Sequence, residues 1–236
     1  MAVELAVAYA LAKNWSQSGD WLNEGTGGST HDATITGATY TDAGAASYWT
    51  VDGNDRFEID DNASLDFTSG QEFTVGIGCR ADDWTPGFDQ GLITKRVGGI
   101  GWAITSDESD SGKPRGIHDG SVVFDAVTTA TPSAGADHTI ILTLIGTTLE
   151  IYADGVASGS PTTITAKDVS NGGKVYLAYY EQLDSYLTGR VFSYAVIRQG
   201  LTAAQVGTTQ GSLHDNLLNQ NANKLTVPGH WGLRVA

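Results

Sequence analysis

The chain is short of cysteine, of basic residues and of long apolar runs, and each shortage excludes a class of protein. Its 236 residues include one cysteine, Cys79, so no disulfide framework can form within the chain. Lysine and arginine total 13 against 27 aspartate and glutamate, which gives a net charge of −14 and repels a polyanion such as DNA or RNA. No segment reaches the roughly 20 apolar residues of a membrane-spanning helix. We expect no nucleic-acid partner and no membrane span.

Alternation of apolar and polar residues, by contrast, recurs along most of the chain. In the segment 73–80, Phe73, Val75, Ile77 and Cys79 occupy every second position, which is the period of a half-buried strand and predicts a buried structural thiol. The 30 glycines fit a fold with many turns. Helical signal is limited to residues 203–206 and 212–221. The pattern predicts an all-β chain of antiparallel sheets, a sandwich or jelly roll.

Two segments in the second half of the chain carry the most specific pattern. In the first, residues 149–156, alternation runs into Asp154-Gly155, a pair that supplies the positive φ of a hairpin turn. In the second, a strand over 187–198 precedes Thr202, a plausible N-cap for a short helix over residues 203–206. The sequence therefore predicts a hairpin, then a long strand that ends in a helical turn.

In this order, the two segments resemble the laminin G-like, concanavalin A-like lectin domain. Further segments resemble its opening and central strands: 21–37, 57–59, 65–67, 73–75, 92–95 and 101–104. The resemblance covers roughly residues 3 to 206. It implies a jelly-roll β-sandwich over residues 1–206, followed by a C-terminal extension or docking arm over residues 207–236. Domains of this family serve glycan binding, protein binding and structural roles, so the fold alone does not fix the function.

An oxygen-rich group of side chains lies on both sides of the predicted strand at 57–59. Its members are Asp52, Asn54, Asp55, Asp60 and Asp61. Calcium takes several such oxygen ligands, and lectin-like sandwiches often hold it in loops, so these residues are candidate calcium ligands. The alternative is a solvated acidic turn.

Aromatic residues in polar loops are candidates for glycan contacts, because sugar faces stack on rings. Trp84 lies in the polar loop 82–89, and Tyr180 and Tyr186 flank the loop 181–185. The alternative is that these rings anchor the loops by packing. Four other tryptophans lie in or beside strands and are predicted to belong to the core: Trp15, Trp21, Trp49 and Trp102.

A catalytic role has one weak candidate, the pair Glu58 and Asp60. Jelly-roll glycosidases of the laminarinase type carry Glu, Asp and a second Glu on one strand face, and glycoside hydrolysis needs two carboxylates that flank the bond. No second glutamate follows Asp60 here. The five histidines have no metal spacing, and no Ser-His-Asp set is predicted. We therefore expect that the chain is not an enzyme.

The last residues of the chain are apolar and include the candidate docking residues Leu225, Val227, Trp231 and Leu233. The N-terminal residues contain Glu4 and no basic stretch, a poor match to a signal peptide. We expect a bacteriophage virion structural protein (a capsid decoration, head-fibre or tail-associated protein) that docks on viral capsid or tail proteins and binds host surface glycans. It would then be located in the virion. The alternatives are a secreted, extracellular carbohydrate-binding module and a glycan-cleaving enzyme. Each of these three hypotheses leaves the oligomeric state, monomer or homo-oligomer, open.

Overall fold

The computed structural model describes residues 7–12, 15, 19–119, 123–165 and 167–206. The predicted docking residues Leu225, Val227, Trp231 and Leu233 lie outside the described residues. The docking arm and the division of the chain at residue 206 therefore stay predictions.

The described residues form eighteen strands and one short α-helix. The strands are β1 (Ala8–Leu11), β2 (Thr34–Thr36), β3 (Thr39–Thr41), β4 (Tyr48–Asp52), β5 (Arg56–Ile59), β6 (Phe73–Ala81), β7 (Gly91–Val97), β8 (Ile100–Asp107), β9 (Lys113–Asp119), β10 (Val123–Val127), β11 (His138–Ile145), β12 (Thr148–Ala153), β13 (Val156–Ala157), β14 (Thr162–Thr163), β15 (Val175–Leu177), β16 (Tyr179–Tyr180), β17 (Ser185–Tyr186) and β18 (Thr188–Ile197). The helix is α1 (Ala203–Val206). Short 3-10 helices lie at Gly28–His31, Gly44–Ala46, Ala63–Leu65 and Glu108–Asp110. Among the described residues, no helix has the length and apolar character to cross a membrane.

Nearly all strands belong to two large antiparallel sheets. The nine-stranded sheet follows the order β13-β12-β11-β6-β18-β4-β3, with β1 paired to β18 and β14 paired to β12. The seven-stranded sheet follows the order β10-β9-β8-β7-β15-β5-β2, and β16 and β17 form a separate hairpin. The predicted all-β antiparallel sandwich is confirmed, as are the turn at Asp154-Gly155 and the helix at 203–206.

The core lies between the two sheets and is rich in aromatic rings. Trp21 packs edge-on against Phe57 and Tyr194, each with ring centroids 5.2 Å apart. Phe67 stacks on Phe73 at 4.4 Å. The predicted core positions of Trp21, Trp49 and Trp102 are confirmed by their burial, and Trp15 is partly buried against the same cluster.

Cys79 lies in this core and is fully buried. Burial raises the pKa of its thiol to about 12, so the thiolate does not form at neutral pH. The prediction of a buried structural thiol is confirmed.

The seven-stranded sheet has an inner side toward the core and an outer side. Along β5, Phe57 and Ile59 are buried in the core while Glu58 lies on the outer side, in keeping with the two-residue period of a strand. Register places Tyr176 of β15 between Glu58 and Thr94, so these three side chains share the outer side.

The hairpin β16–β17 leaves the sheet at Ala178, which adopts a positive φ of 62°. An alanine in this region carries strain of about 1–2 kcal/mol. The backbone of Tyr179 then passes directly over Gly91, where an added Cβ would lie 2.2 Å from the carbonyl carbon of Tyr179. Thr94 Oγ1 donates to the carbonyl oxygen of Tyr179 at 3.0 Å and holds the hairpin on the outer side of the sheet.

Candidate functional site

Three half-buried tyrosines from β15, β16 and β17 form a continuous aromatic surface. The rings of Tyr176 and Tyr179 meet edge to face with centroids 5.1 Å apart, and those of Tyr179 and Tyr186 are 4.6 Å apart. The guanidinium carbon of Arg56 lies 5.5 Å from the centroid of the Tyr179 ring. We name the surface formed by Tyr176, Tyr179, Tyr186, Arg56 and Glu58 the tyrosine face.

Hairpin register decides which tyrosines reach this surface. Tyr179 is paired with Tyr186, and Tyr180 with Ser185. Because neighbouring residues of a strand point to opposite sides, the first pair faces away from the sheet and the second pair faces toward it. Tyr180 and Ser185 are accordingly buried.

Charged side chains border the tyrosine face in a paired arrangement. Glu58 accepts from Arg56 Nε at 2.6 Å and from Lys174 Nζ at 2.8 Å, and Lys174 also lies 3.1 Å from Asp60. Partial burial raises the pKa of Glu58, but the bonds from Lys174 and Arg56 outweigh it and leave the pKa below its ordinary value. Glu58 is therefore held as a carboxylate, whereas a general acid needs a raised pKa.

Of the three predicted glycan residues, only Tyr186 lies on the tyrosine face. Tyr180 is 4% exposed, and its hydroxyl bonds to Arg96 and to Gln182. Trp84 is 2% exposed and packs edge-on against His138. The expectation that Trp84 and Tyr180 are exposed platforms is wrong, because both rings anchor their loops by packing.

Arg96, beside Tyr180, continues the network of charges under the hairpin. Its guanidinium pairs with the buried carboxylate of Asp119. Burial raises the pKa of Tyr180 although the Arg96 charge opposes it, so the phenol stays protonated and donates. This network fixes the inner half of the hairpin while Tyr179 and Tyr186 face outward.

The five predicted calcium ligands do not converge. Asp52, Asn54 and Asp55 lie at the turn from β4 to β5, whereas Asp60 and Asp61 follow β5 at its other end, five residue steps or about 17 Å further along the strand. Asp55 accepts from the backbone N–H of Asp52 at 3.0 Å, and burial raises the pKa of its carboxyl. The expectation of one oxygen-rich cluster is wrong, because a strand separates its two halves.

Asp61, one of the predicted calcium ligands, belongs instead to a set of oxygens around the ammonium of Lys95. Lys95 Nζ donates to Asp61 Oδ1 at 2.8 Å, and to the carbonyl oxygens of Asn171 at 2.7 Å and Gly173 at 2.9 Å. Asp66 Oδ1 lies 3.0 Å from the same nitrogen. We name this arrangement the Lys95 cage. Two carboxylates and two carbonyls are ligands of the kind that calcium takes, and here the fully buried ammonium occupies their centre.

The structure also brings together a serine, a histidine and an aspartate that the sequence analysis did not connect. His138 Nδ1 lies 2.7 Å from Asp154 Oδ2, and Nε2 lies 3.2 Å from Ser133 Oγ. Nε2 also lies 3.1 Å from the carbonyl oxygen of Ser133, so both ring nitrogens face acceptors. A ring nitrogen that donates to this carbonyl has no lone pair for the hydroxyl proton, so the arrangement fits a loop anchor rather than a nucleophile with its base.

Residues 51–207 match the family described as the concanavalin A-like lectin/glucanases superfamily. The chain belongs to this superfamily. The match spans well over half of the chain and confirms the laminin G-like, concanavalin A-like resemblance. No curated protein matches the chain.

Solved structures with the same fold include binding domains and a domain of an arabinanase. Domain 4 of AbnA, an extracellular arabinanase from Geobacillus stearothermophilus in complex with arabinotriose, has a TM-score of 0.69 at 15% identity, covering 88% of this chain and 98% of that one. The binding domain of Paraclostridial Mosquitocidal Protein 1 has a TM-score of 0.68 at 14% identity, covering 87% of this chain. The receptor binding domain of botulinum neurotoxin D has a TM-score of 0.63 at 9% identity, covering 93% of this chain.

At these identities the likeness shows the fold alone. The chain spans about half the length of the mosquitocidal and neurotoxin domains, 51% and 53% respectively. It is a lectin-like β-sandwich domain.

Proposed function

We propose that this domain is a non-enzymatic glycan-binding module whose ligand stacks on the tyrosine face. The observation that carries the proposal is the convergence of Tyr176, Tyr179 and Tyr186 beside Arg56 and Glu58. Tyrosine rings offer apolar faces to the C–H side of a sugar, and neighbouring charged groups offer donors and acceptors to its hydroxyls. Such a combination orients a ligand as well as holding it.

Similar structures support a binding role. The arabinanase domain was solved with arabinotriose, and two other similar structures are named as binding domains. The structure of a sialidase from Trypanosoma rangeli is also similar, with a TM-score of 0.58, but this chain covers only 33% of that protein. The activity of the larger protein is therefore not carried over.

The state of Glu58 supports a role without catalysis. Two cations hold it as a carboxylate, and its neighbour Asp60 shares Lys174 with it. Glycoside hydrolysis by two carboxylates needs one of them protonated at the start. The lowered pKa of Glu58 does not favour that state.

The test is a glycan array followed by calorimetry on the best ligand, with Tyr179→Ala as the variant. Loss of a stacking ring is expected to weaken binding by about 1.4 kcal/mol, roughly tenfold. The matched control is Tyr48→Ala, because Tyr48 lies on β4 of the other sheet and also carries a cation over its ring, Arg190 at 4.0 Å. Equal losses in the two variants would contradict the proposal.

We further propose that the module is displayed on a virion and attached through residues 207–236, with an extracellular module as the alternative. The support concerns the place of attachment alone: α1 ends at Val206, which packs with Tyr9, Leu11 and Ile141 in a second apolar cluster. This cluster lies on the outer side of the nine-stranded sheet, away from the tyrosine face. Attachment there leaves the tyrosine face open to a host glycan.

The attachment proposal is tested by deleting residues 207–236 and measuring loading of the chain onto particles. We expect the shortened chain to keep its glycan affinity and to lose attachment. Unchanged loading would remove the virion role and leave the glycan-binding proposal intact.

A further inference from the structure

Resting on the proposed glycan-binding role, we infer that the tyrosine face takes neutral oligosaccharides and rejects acidic ones. The inference comes from how the cations at this surface are already used. Arg56 and Lys174 are the two cations bonded to Glu58, and their side chains are 31% and 42% exposed. Both are within reach of a ligand, yet each is engaged by a carboxylate of the chain itself.

Carboxylates outnumber cations around the tyrosine face. Glu58 and Asp60 share Lys174, and Glu58 also holds Arg56. Asp184 accepts from the hydroxyl of Tyr179 at 3.2 Å. The exposed Glu181 is close enough to raise the pKa of Tyr176, although burial is the larger cause. The local charge is therefore negative, like the net charge of the whole chain.

A ligand carboxylate or sulfate that took Arg56 or Lys174 as its partner would compete with Glu58 for the charge of the same cations. The side chain of Glu58 is only 16% exposed, so displacement would leave a poorly solvated, unpaired charge. Long-range repulsion from the chain's negative field would oppose the approach of the same ligand. Acidic sugars are thus rejected because their binding would leave Glu58 unpaired and would meet a repulsive field, and not because the site lacks a contact for them.

A sugar hydroxyl meets neither obstacle. It donates one hydrogen bond and accepts others, so it can bond to a carboxylate and to a cation without separating them. The pair Arg56–Glu58 beside the ring of Tyr179 offers both kinds of partner at one place. A neutral sugar with adjacent hydroxyls fits this arrangement.

The experiment uses matched oligosaccharides that differ only in a C6 hydroxymethyl or a C6 carboxylate, measured by calorimetry on the full chain. For the wild type we expect the neutral form to bind at least about tenfold more tightly. Glu58→Gln removes the carboxylate charge that Arg56 and Lys174 share, while Lys174 keeps Asp60 as a partner, and we expect it to raise affinity for the carboxylate form about tenfold, in a salt-sensitive way. Asp137→Asn is the matched control, because Asp137 pairs at 2.6 Å with Arg80, which lies on β6 of the other sheet.

Asp60→Asn is the second variant, because Asp60 is 82% exposed and its replacement does not threaten folding. We expect it to raise affinity for the carboxylate form about threefold. Equal or tighter binding of the acidic form by the wild type would overturn the inference and leave the glycan-binding proposal standing. The inference also fails if folded Glu58→Gln and Asp60→Asn both show no gain. Binding of neither form, nor of any array glycan, would overturn the proposed function itself.

Discussion

Lys95 and Arg96 are neighbours on β7, yet they serve opposite sides of the seven-stranded sheet. Lys95 points inward and is fully buried among two carboxylates and two carbonyl oxygens. Arg96 points outward, pairs with Asp119 and bonds to the hydroxyl of Tyr180 under the hairpin. The inner side near Lys95 is closed to solvent, whereas the outer side carries the partly exposed tyrosine face.

This contrast separates charges that hold the fold from charges that are available to a ligand. A cation enclosed by four oxygens has no surface left for a partner, so the Lys95 cage is a structural element. The cations beside the tyrosine face are half exposed and paired in a way that other groups can join. Substitutions on the inner side should therefore act on stability, and those on the outer side on binding.

The largest effect is expected at the Lys95 cage. Lys95→Met removes the cation from Asp61 and Asp66 and the donor from two carbonyl oxygens, and we expect it to cost about 3 kcal/mol of unfolding free energy, the lower end for a buried pair, because Asp61 is 41% exposed. Lys174→Met should cost about 1 kcal/mol, because Lys174 is 42% exposed and its partner Glu58 keeps Arg56. Urea unfolding of both variants measures the difference. Similar losses would break the distinction between the two sides.

A smaller effect is expected where the hairpin crosses the sheet. In Gly91→Ala the new Cβ meets the backbone of Tyr179, so the hairpin must shift, at a cost of about 1–3 kcal/mol. Because the shift moves Tyr179, glycan affinity should fall as well. Gly172→Ala is the control, since its nearest atom, Asp61 Oδ2, is 4.0 Å from the added Cβ. If Gly91→Ala bound as the wild type does, the hairpin would not position the site.

The smallest effect on stability is expected from a change of pH, and it arises from two buried histidines. Burial lowers the pKa of His118, which stacks on Phe73, and of His31, below their ordinary value of 6.5. The unfolded chain then binds more protons than the folded chain, so stability falls as pH drops below about 6.5. Urea midpoints at pH 7.5 and 5.5 should differ less in His118→Phe than in the wild type. An unchanged difference would show that His118 does not contribute.

The local sequence pattern predicted the fold well, because the residues that mark each strand and each turn are close together in the chain. The alternation of Phe73, Val75, Ile77 and Cys79 marks β6, and Asp154-Gly155 marks the turn after β12. Prediction of the site failed where two adjacent residues of the same type face opposite sides of a strand. Tyr179 and Tyr180 look alike in sequence, and only the hairpin register turns one outward and the other toward Arg96.

The amino-acid sequence by itself determined the strands, the turns, the all-β class and the burial of Cys79, because periodicity and turn chemistry act over a few residues. Tertiary structure alone decided that Trp84 is buried, that Lys95 fills an oxygen cage and that three tyrosines share a surface. Lys95 is 34 residues from Asp61 and 78 from Gly173. Contacts of that separation exist only after the sheets have paired, since no short-range pattern records which distant residues will meet.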